Sequence, residues 1–320
     1  MSRLTAAIAA FITRLWRTDR PLTAVGLLMA GALVASAVGV WLDPRVITGA
    51  PAWLKPAKFA ASIAIYTLTL AWLFTFLPEW RRTRAIVGWT TAGILVMELI
   101  VIDVQAWRGT TSHFNVGTVL DGVLFTLMGV GILVQTLTSI AIAVALWRQP
   151  FADRALGWAL RLGMTMTIVG AFTGGLMTRP TAAQLAEAQV TQRIAIAGAH
   201  TVGAPDGGPG LAGTGWSRDH GDLRVPHFVG LHALQVLPLF LLLVRRRVAA
   251  ERARVRLTMT TAASYAALYG ILLWQALRGQ ALVGPDATTG IVLIVWAVGT
   301  AVAVGSVLMR TRRTLQPVMC

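Results

Sequence analysis

Eight apolar stretches separated by short polar turns constrain this chain more than any other feature of its sequence. They cover 22–41, 57–77, 84–107, 118–147, 154–177, 226–244, 257–278 and 287–309. Each is about 19 residues or longer, enough to cross the hydrocarbon of a bilayer, and 118–147 overruns at one end. Unpaired backbone groups are costly in lipid, so runs of this length predict helices. The expected fold is all-α: an integral membrane bundle of about eight transmembrane helices. Composition agrees, with 56% hydrophobic and 13% charged residues, against about 25% charged in a soluble domain. In water such a chain would expose large apolar patches.

The formal net charge of +15 suggests nucleic acid in a soluble protein. Here the arginines sit in turns, and no basic face carries interleaved aromatics, so nucleic acid is not an expected partner. Arg14, Arg17 and Arg20 precede the first run, and Arg81, Arg82 and Arg84 follow the second. Arg148 and Arg154 follow the fourth, a group from Arg245 to Arg256 follows the sixth, and Arg310, Arg312 and Arg313 follow the eighth. The positive-inside rule then places both termini in the cytoplasm, in a bacterial cytoplasmic membrane. Trp41, Trp80, Trp107 and Trp147 fall near run ends, as an interfacial belt requires.

The sequence divides into an amphipathic cytoplasmic helix (1–20), a single transmembrane bundle (21–309) with an outward loop (178–225), and a basic cytoplasmic tail (310–320). In the first segment Leu4, Ile8, Phe11, Ile12 and Leu15 share one side at 100° per residue, with Arg3, Arg14 and Arg17 opposite. No signal peptide is expected. Cys320 stands alone, so no intramolecular disulfide forms, and Pro-Val-Met-Cys is not a prenylation box. In the loop, Pro180 predicts a surface helix over 181–199. Gly208, Gly210 and Gly213 spell GxGxxG, but without a preceding strand they make no dinucleotide fold.

Ionisable groups inside a membrane are costly and usually face an interior or a water-filled cavity. Lys55, Lys58, Ser62, Tyr66 and Thr69 lie on a stripe about 80° wide at the start of the second run, predicting an interior-facing helix. Lys58 is expected to pair with Glu98 or Asp121, the alternative being that the lysines snorkel to the interface. Glu98, Asp103 and Lys58 are the candidate catalytic or proton-handling groups. Glu98 and Gln105 share a helix face, with Asp103 about 140° away. Asn115, Asp121, Arg224 and Gln235 are candidate cofactor contacts, although Asn115 and Ser112 also suit capping of the fourth run. His113, His200, His227 and His232 are candidate metal ligands, His232 with His113 foremost, while His220 reads as a solvated loop residue. His227 and His232 differ by about 140° on one helix, so a single helix would not aim both at one metal.

Three segments, Trp53 to Phe59, Gln105 to Asn115 and Gly221 to Gln235, resemble a family of uncharacterised bacterial polytopic membrane proteins. The resemblance covers the second to sixth runs, implies membrane location, and implies no activity. The residues themselves leave several functions open. One is an outward-facing transition-metal or b-type haem site with a redox role, since imidazole suits both. Another is a proton-coupled transporter using Glu98, Asp103 and Lys58. A third is a metal-dependent lipid hydrolase whose metal-bound water attacks. A structural polar core in an accessory protein is the fourth. Expected partners are the bilayer, a small-molecule or lipid substrate, and further copies of the chain.

Overall fold

Each apolar run forms a helix in the computed structural model of the protein, which describes the backbone of residues 3–315 and the side chains of residues 3–311. The helices are α1 (Arg3–Thr18), α2 (Arg20–Leu42), α3 (Leu54–Phe74), α4 (Arg81–Trp107), α5 (Val119–Arg148) and α6 (Arg154–Met177). They continue as α7 (Ala182–Thr191), α8 (Arg224–Leu231), α9 (Ala233–Arg245), α10 (Glu251–Leu277) and α11 (Ala287–Leu315). Seven helices are long and apolar enough to cross a membrane, and an eighth span exists if α8 and α9 count as one. That pair bends by 50°, so the sixth run is a broken helix, not the straight one expected. Two short antiparallel pairs complete the structure: β1 (Val46–Ile47) with β2 (Ala50–Pro51), and β3 (Thr201–Val202) with β4 (Gly221–Asp222).

The chain divides into two units. The first comprises Met1–Ala145, Thr178–Ala199 and Asp206–Gly215. Its core joins Val25 and Met29 of α2, Ala60, Ile63 and Ala64 of α3, and Ala92, Leu95 and Leu99 of α4. Small residues let α2 and α3 approach closely: a Cβ on Gly26 would stand 2.6 Å from Leu68 Cγ. Asp19 caps α2 by accepting from the Leu22 N–H at 3.0 Å, and Pro21 sits in the first turn where a missing N–H is harmless. α1 is helical as expected, but it buries only Leu15 and leaves Leu4, Ile8 and Phe11 exposed.

The second unit comprises Leu146–Met177, His200–Pro205 and Trp216–Cys320. There α6 meets α8 backbone to backbone, since a Cβ on Gly230 would lie 2.4 Å from Gly170 Cα. Thr167 of α6 mends the break between α8 and α9. Its hydroxyl donates to Leu231 O at 3.1 Å and accepts from the Leu234 N–H at 3.3 Å. α11 carries Ile291, Ile294, Val295, Val298 and Val302 exposed, as expected of a peripheral helix without ionisable groups in its apolar stretch. It also runs into the basic tail as far as Leu315, and Cys320 lies outside the described residues.

The long loop corrects one expectation. Its helix is α7 alone, ten residues long, and Thr181 starts it, not Pro180. Thr181 and Gln184 form a reciprocal capping box, and Gln192 ends the helix in the left-handed region at φ 58°. Residues 193–199 are irregular, with Asn115 bridged to Ile196.

Candidate functional site

In the first unit the polar groups gather where α4 ends and α3 and α5 begin. A clamp positions the start of α3. Asp43 pairs with Arg45 at 2.6 Å and accepts from Trp53 Nε1 at 2.8 Å, while Arg45 Nη1 donates to Trp107 O at 2.7 Å. The Arg45 guanidinium holds the Asp43 carboxyl well below the usual carboxylate range. The adjoining β1–β2 turn uses positive φ at Thr48 and Gly49.

Glu98 is the most constrained group. It is 1% exposed, and neither carboxylate oxygen has a hydrogen-bond partner among the described residues. Gly131 of α5 faces it, where a Cβ would stand 3.9 Å from Glu98 Oε1 and 2.8 Å from Met97 Cε. Lys55 is the charge whose field reaches Glu98. Asp103, on another face of α4, is half-buried, and its Oδ1 is also shielded without a partner. Gln105 is buried beside Glu98's face, as the helical spacing predicts.

Asp121 is not the partner of Lys58. It accepts from Arg108 Nη1 at 2.6 Å, Gln105 Nε2 at 2.8 Å and Thr118 Oγ1 at 2.6 Å. Arg108 also bonds Gln105 Oε1. Thr118 caps α5 by accepting from the Asp121 N–H at 3.2 Å, so the capping role expected of Ser112 and Asn115 falls to Thr118. Asn115 instead ties the loop together: Nδ2 donates to Thr110 Oγ1 at 3.0 Å, and Oδ1 accepts from the Gly117 N–H at 3.2 Å. His113 sits edge-on to Phe59 at 5.6 Å, with Nδ1 3.2 Å from Ser112 Oγ. Lys58 Nζ donates to Thr214 O at 2.8 Å, fastening the Gly-rich part of the long loop to α3.

The stripe on α3 is not an interior face. Lys55, Lys58, Tyr66 and Thr69 are half-buried and Ser62 is exposed, while α3 buries Pro56, Ala60, Ile63, Ala64 and Thr67. Tyr66 reaches α5, where Gln135 Nε2 donates to its hydroxyl at 3.1 Å and Ser139 Oγ lies 3.3 Å away. Gln135 Oε1 and Thr91 Oγ1 are buried without a partner. Attention to charge hides Gln135, Ser139 and Thr91. Their one signal is a neutral polar residue inside an apolar run.

In the second unit His200 and His232 each lie near His227. His227 Nδ1 lies 2.7 Å from Gly170 O, and a Cβ on Gly174 would come within 3.2 Å of its ring. His232 occupies the break itself, its ring tilted 52° against Phe228 with centroids 4.2 Å apart, and Gln235 is the polar neighbour of its ring. The angle of 140° between the two histidines assumed an unbroken helix and does not apply across a 50° bend. Arg224 engages Asp222 through Nη2 at 2.5 Å and Nε at 2.9 Å, fixing the turn from β4 into α8. His220 is exposed, as expected. His113 belongs to the first unit and the other four histidines to the second. Among the described residues, no three of His, Cys, Asp and Glu are grouped so as to hold a metal ion.

Helices of this length and apolarity, with buried ionisable groups on α4, define a multi-pass helical membrane protein. No protein-family model, curated protein or solved structure matches the chain.

Proposed function

We propose that the protein is a proton-coupled carrier of a small anion in the bacterial cytoplasmic membrane, with its termini cytoplasmic and Glu98 as the proton-binding group. The observation that supports this is the Glu98 carboxyl, 1% exposed with both oxygens unpartnered among the described residues. An ionised carboxylate taken out of water without hydrogen bonds costs several kcal/mol. A group in that position binds a positive charge, and the smallest one is the proton.

Coupling to an anion follows from Lys55. Ionised Glu98 and the Lys55 ammonium attract each other, so a proton arriving at Glu98 weakens that attraction and strengthens the pull of Lys55 on an incoming carboxylate or phosphate. By linkage the anion favours proton uptake in turn. Lys58 adds a second ammonium at the same helix end, and Asp103 a second acid on α4. The metal and haem readings have no comparable support, because among the described residues no three ligand-type side chains are grouped.

The test uses purified protein in liposomes that enclose a pH-sensitive dye. An external acid pulse should acidify the lumen faster than in empty liposomes, and Glu98→Gln should return the rate to that of the empty vesicles. A wild-type rate equal to that of empty vesicles, or an undiminished rate in Glu98→Gln, overturns the proposal. Elemental analysis and an absorption spectrum of the same sample report any metal or haem.

A further inference from the structure

A carrier needs a route from Glu98 to the opposite face, and no ionisable side chain supplies one. Neutral polar groups do. α4 and α5 run antiparallel past each other with Gly131 level with Glu98. One turn further along α5 stands Gln135, and one turn beyond that Ser139, on the same helix face. On α4, Thr91 lies two turns before Glu98 on the same face, fully buried. Tyr66 closes the seam from α3, ~18 Å along that helix from its start and so past the middle of a bilayer core.

The bonding within this seam is polarised. The Gln135 amide gives Nε2–H to Tyr66 at 3.1 Å and to Ser139 at 3.3 Å. That leaves the Tyr66 O–H directed at Ser139 Oγ, 3.3 Å away. Glu98, Gln135 Oε1 and Thr91 Oγ1 are all buried without partners among the described residues. Four such atoms on α4 and α5 are unusual, since buried polar atoms nearly always bond to protein or to ordered water. Buried water is found where such groups lack protein partners.

We infer that the seam formed by Glu98, Gln135, Tyr66 and Ser139 is the inward proton path of this protein, with Gln135 as the residue that positions it. This rests on Glu98 as the proton-binding group. A proton leaves the Glu98 carboxyl through a water held at Gln135 Oε1 and bonds to the Tyr66 oxygen. As it arrives, Tyr66 releases its own hydroxyl proton to Ser139, whose own proton, otherwise donated to Gln135 O at 2.9 Å, is released to water entering from the cytoplasmic side. Each hydroxyl loses one proton for each it gains, so neither ends charged and no oxidant or reductant is involved. The ionisable groups around Glu98 are Lys55 from α3, Asp103 on α4 itself, and Asp121 from α5, which Arg108 neutralises.

The test pairs the liposome assay with difference infrared spectroscopy of the protonated Glu98 carboxyl, identified by its loss in Glu98→Gln. The variants are Tyr66→Phe, Ser139→Ala and Gln135→Leu. All three should keep the carboxyl band, and Gln135→Leu should shift it, because that side chain loses its acceptor. Proton entry should fall roughly tenfold or more in Tyr66→Phe and Gln135→Leu, as when a positioned proton-transfer group is removed. If Gln135→Leu fails to fold, Tyr66→Phe and Ser139→Ala, each lacking one oxygen, carry the test. Wild-type rates in all folded variants alongside an inactive Glu98→Gln overturn the path while leaving Glu98 in place. A wild-type protein without a titrating Glu98 band overturns both.

Discussion

Asp121 shows how single residues set the local geometry. Its two oxygens take Arg108, Gln105 and Thr118, so one carboxylate ties the end of α4 to the first turn of α5. Asp121→Asn keeps the shape but removes the charge and one acceptor site. It should cost about 1.5–3 kcal/mol, the range for a hydrogen bond to a charged group, with the partial exposure of Arg108 favouring the lower end. Unfolding of the detergent-solubilised variant measures this, and an unchanged midpoint would mean that the cluster is not a structural tie. Glu98 has the same chemistry and the opposite environment. A carboxylate with three partners holds two helices together, and one with none is available for a proton.

At the scale of elements, the decisive feature is the break between α8 and α9. Eight residues of helix, a turn at His232 and a second helix replace one straight span. The break is tolerable in an apolar bundle because Thr167 serves both the Leu231 carbonyl and the Leu234 N–H that the bend frees. It also needs close approach to α6, which Gly170 and Gly230 allow. Gly230→Ala would push a methyl group into Gly170 Cα at 2.4 Å, and backbone cannot step aside as a side chain can. The expected cost is about 1–3 kcal/mol. Gly175→Ala on the same α6 helix meets nothing within 4 Å and should leave the unfolding midpoint nearly unchanged. Equal midpoints for the two variants would show that the crossing is loose.

At the scale of the whole molecule, the arginine clusters predict which side of the membrane each loop faces. In a Cys320→Ser background, a cysteine at position 210 should react with an impermeant reagent added outside intact cells, and one at position 250 should not. The reverse pattern would turn the protein over and place Lys55 and Lys58 at the cytoplasmic face. The same label at both positions would mean an even number of crossings between them, so α8 and α9 together form a single crossing only if the labels differ.

Length and hydropathy alone determined that the chain is helical and where its long apolar helices lie. Each of these depends on residues near one another in sequence. A run of 20 apolar residues must be a helix in lipid whatever surrounds it. The shared face of Glu98 and Gln105 was legible for the same reason, because helical spacing is local. Tertiary structure decided which charges meet: Arg108, not Lys58, takes Asp121. It also decided that Thr118 caps α5 and that the sixth run breaks at His232. The polar seam was hidden because Tyr66 on α3 is 69 or more positions from Gln135 and Ser139 on α5. A neutral polar side chain in an apolar run signals nothing until the helix opposite it is known. Pairing of side chains is a property of distances between helices, and no local period in the sequence encodes those.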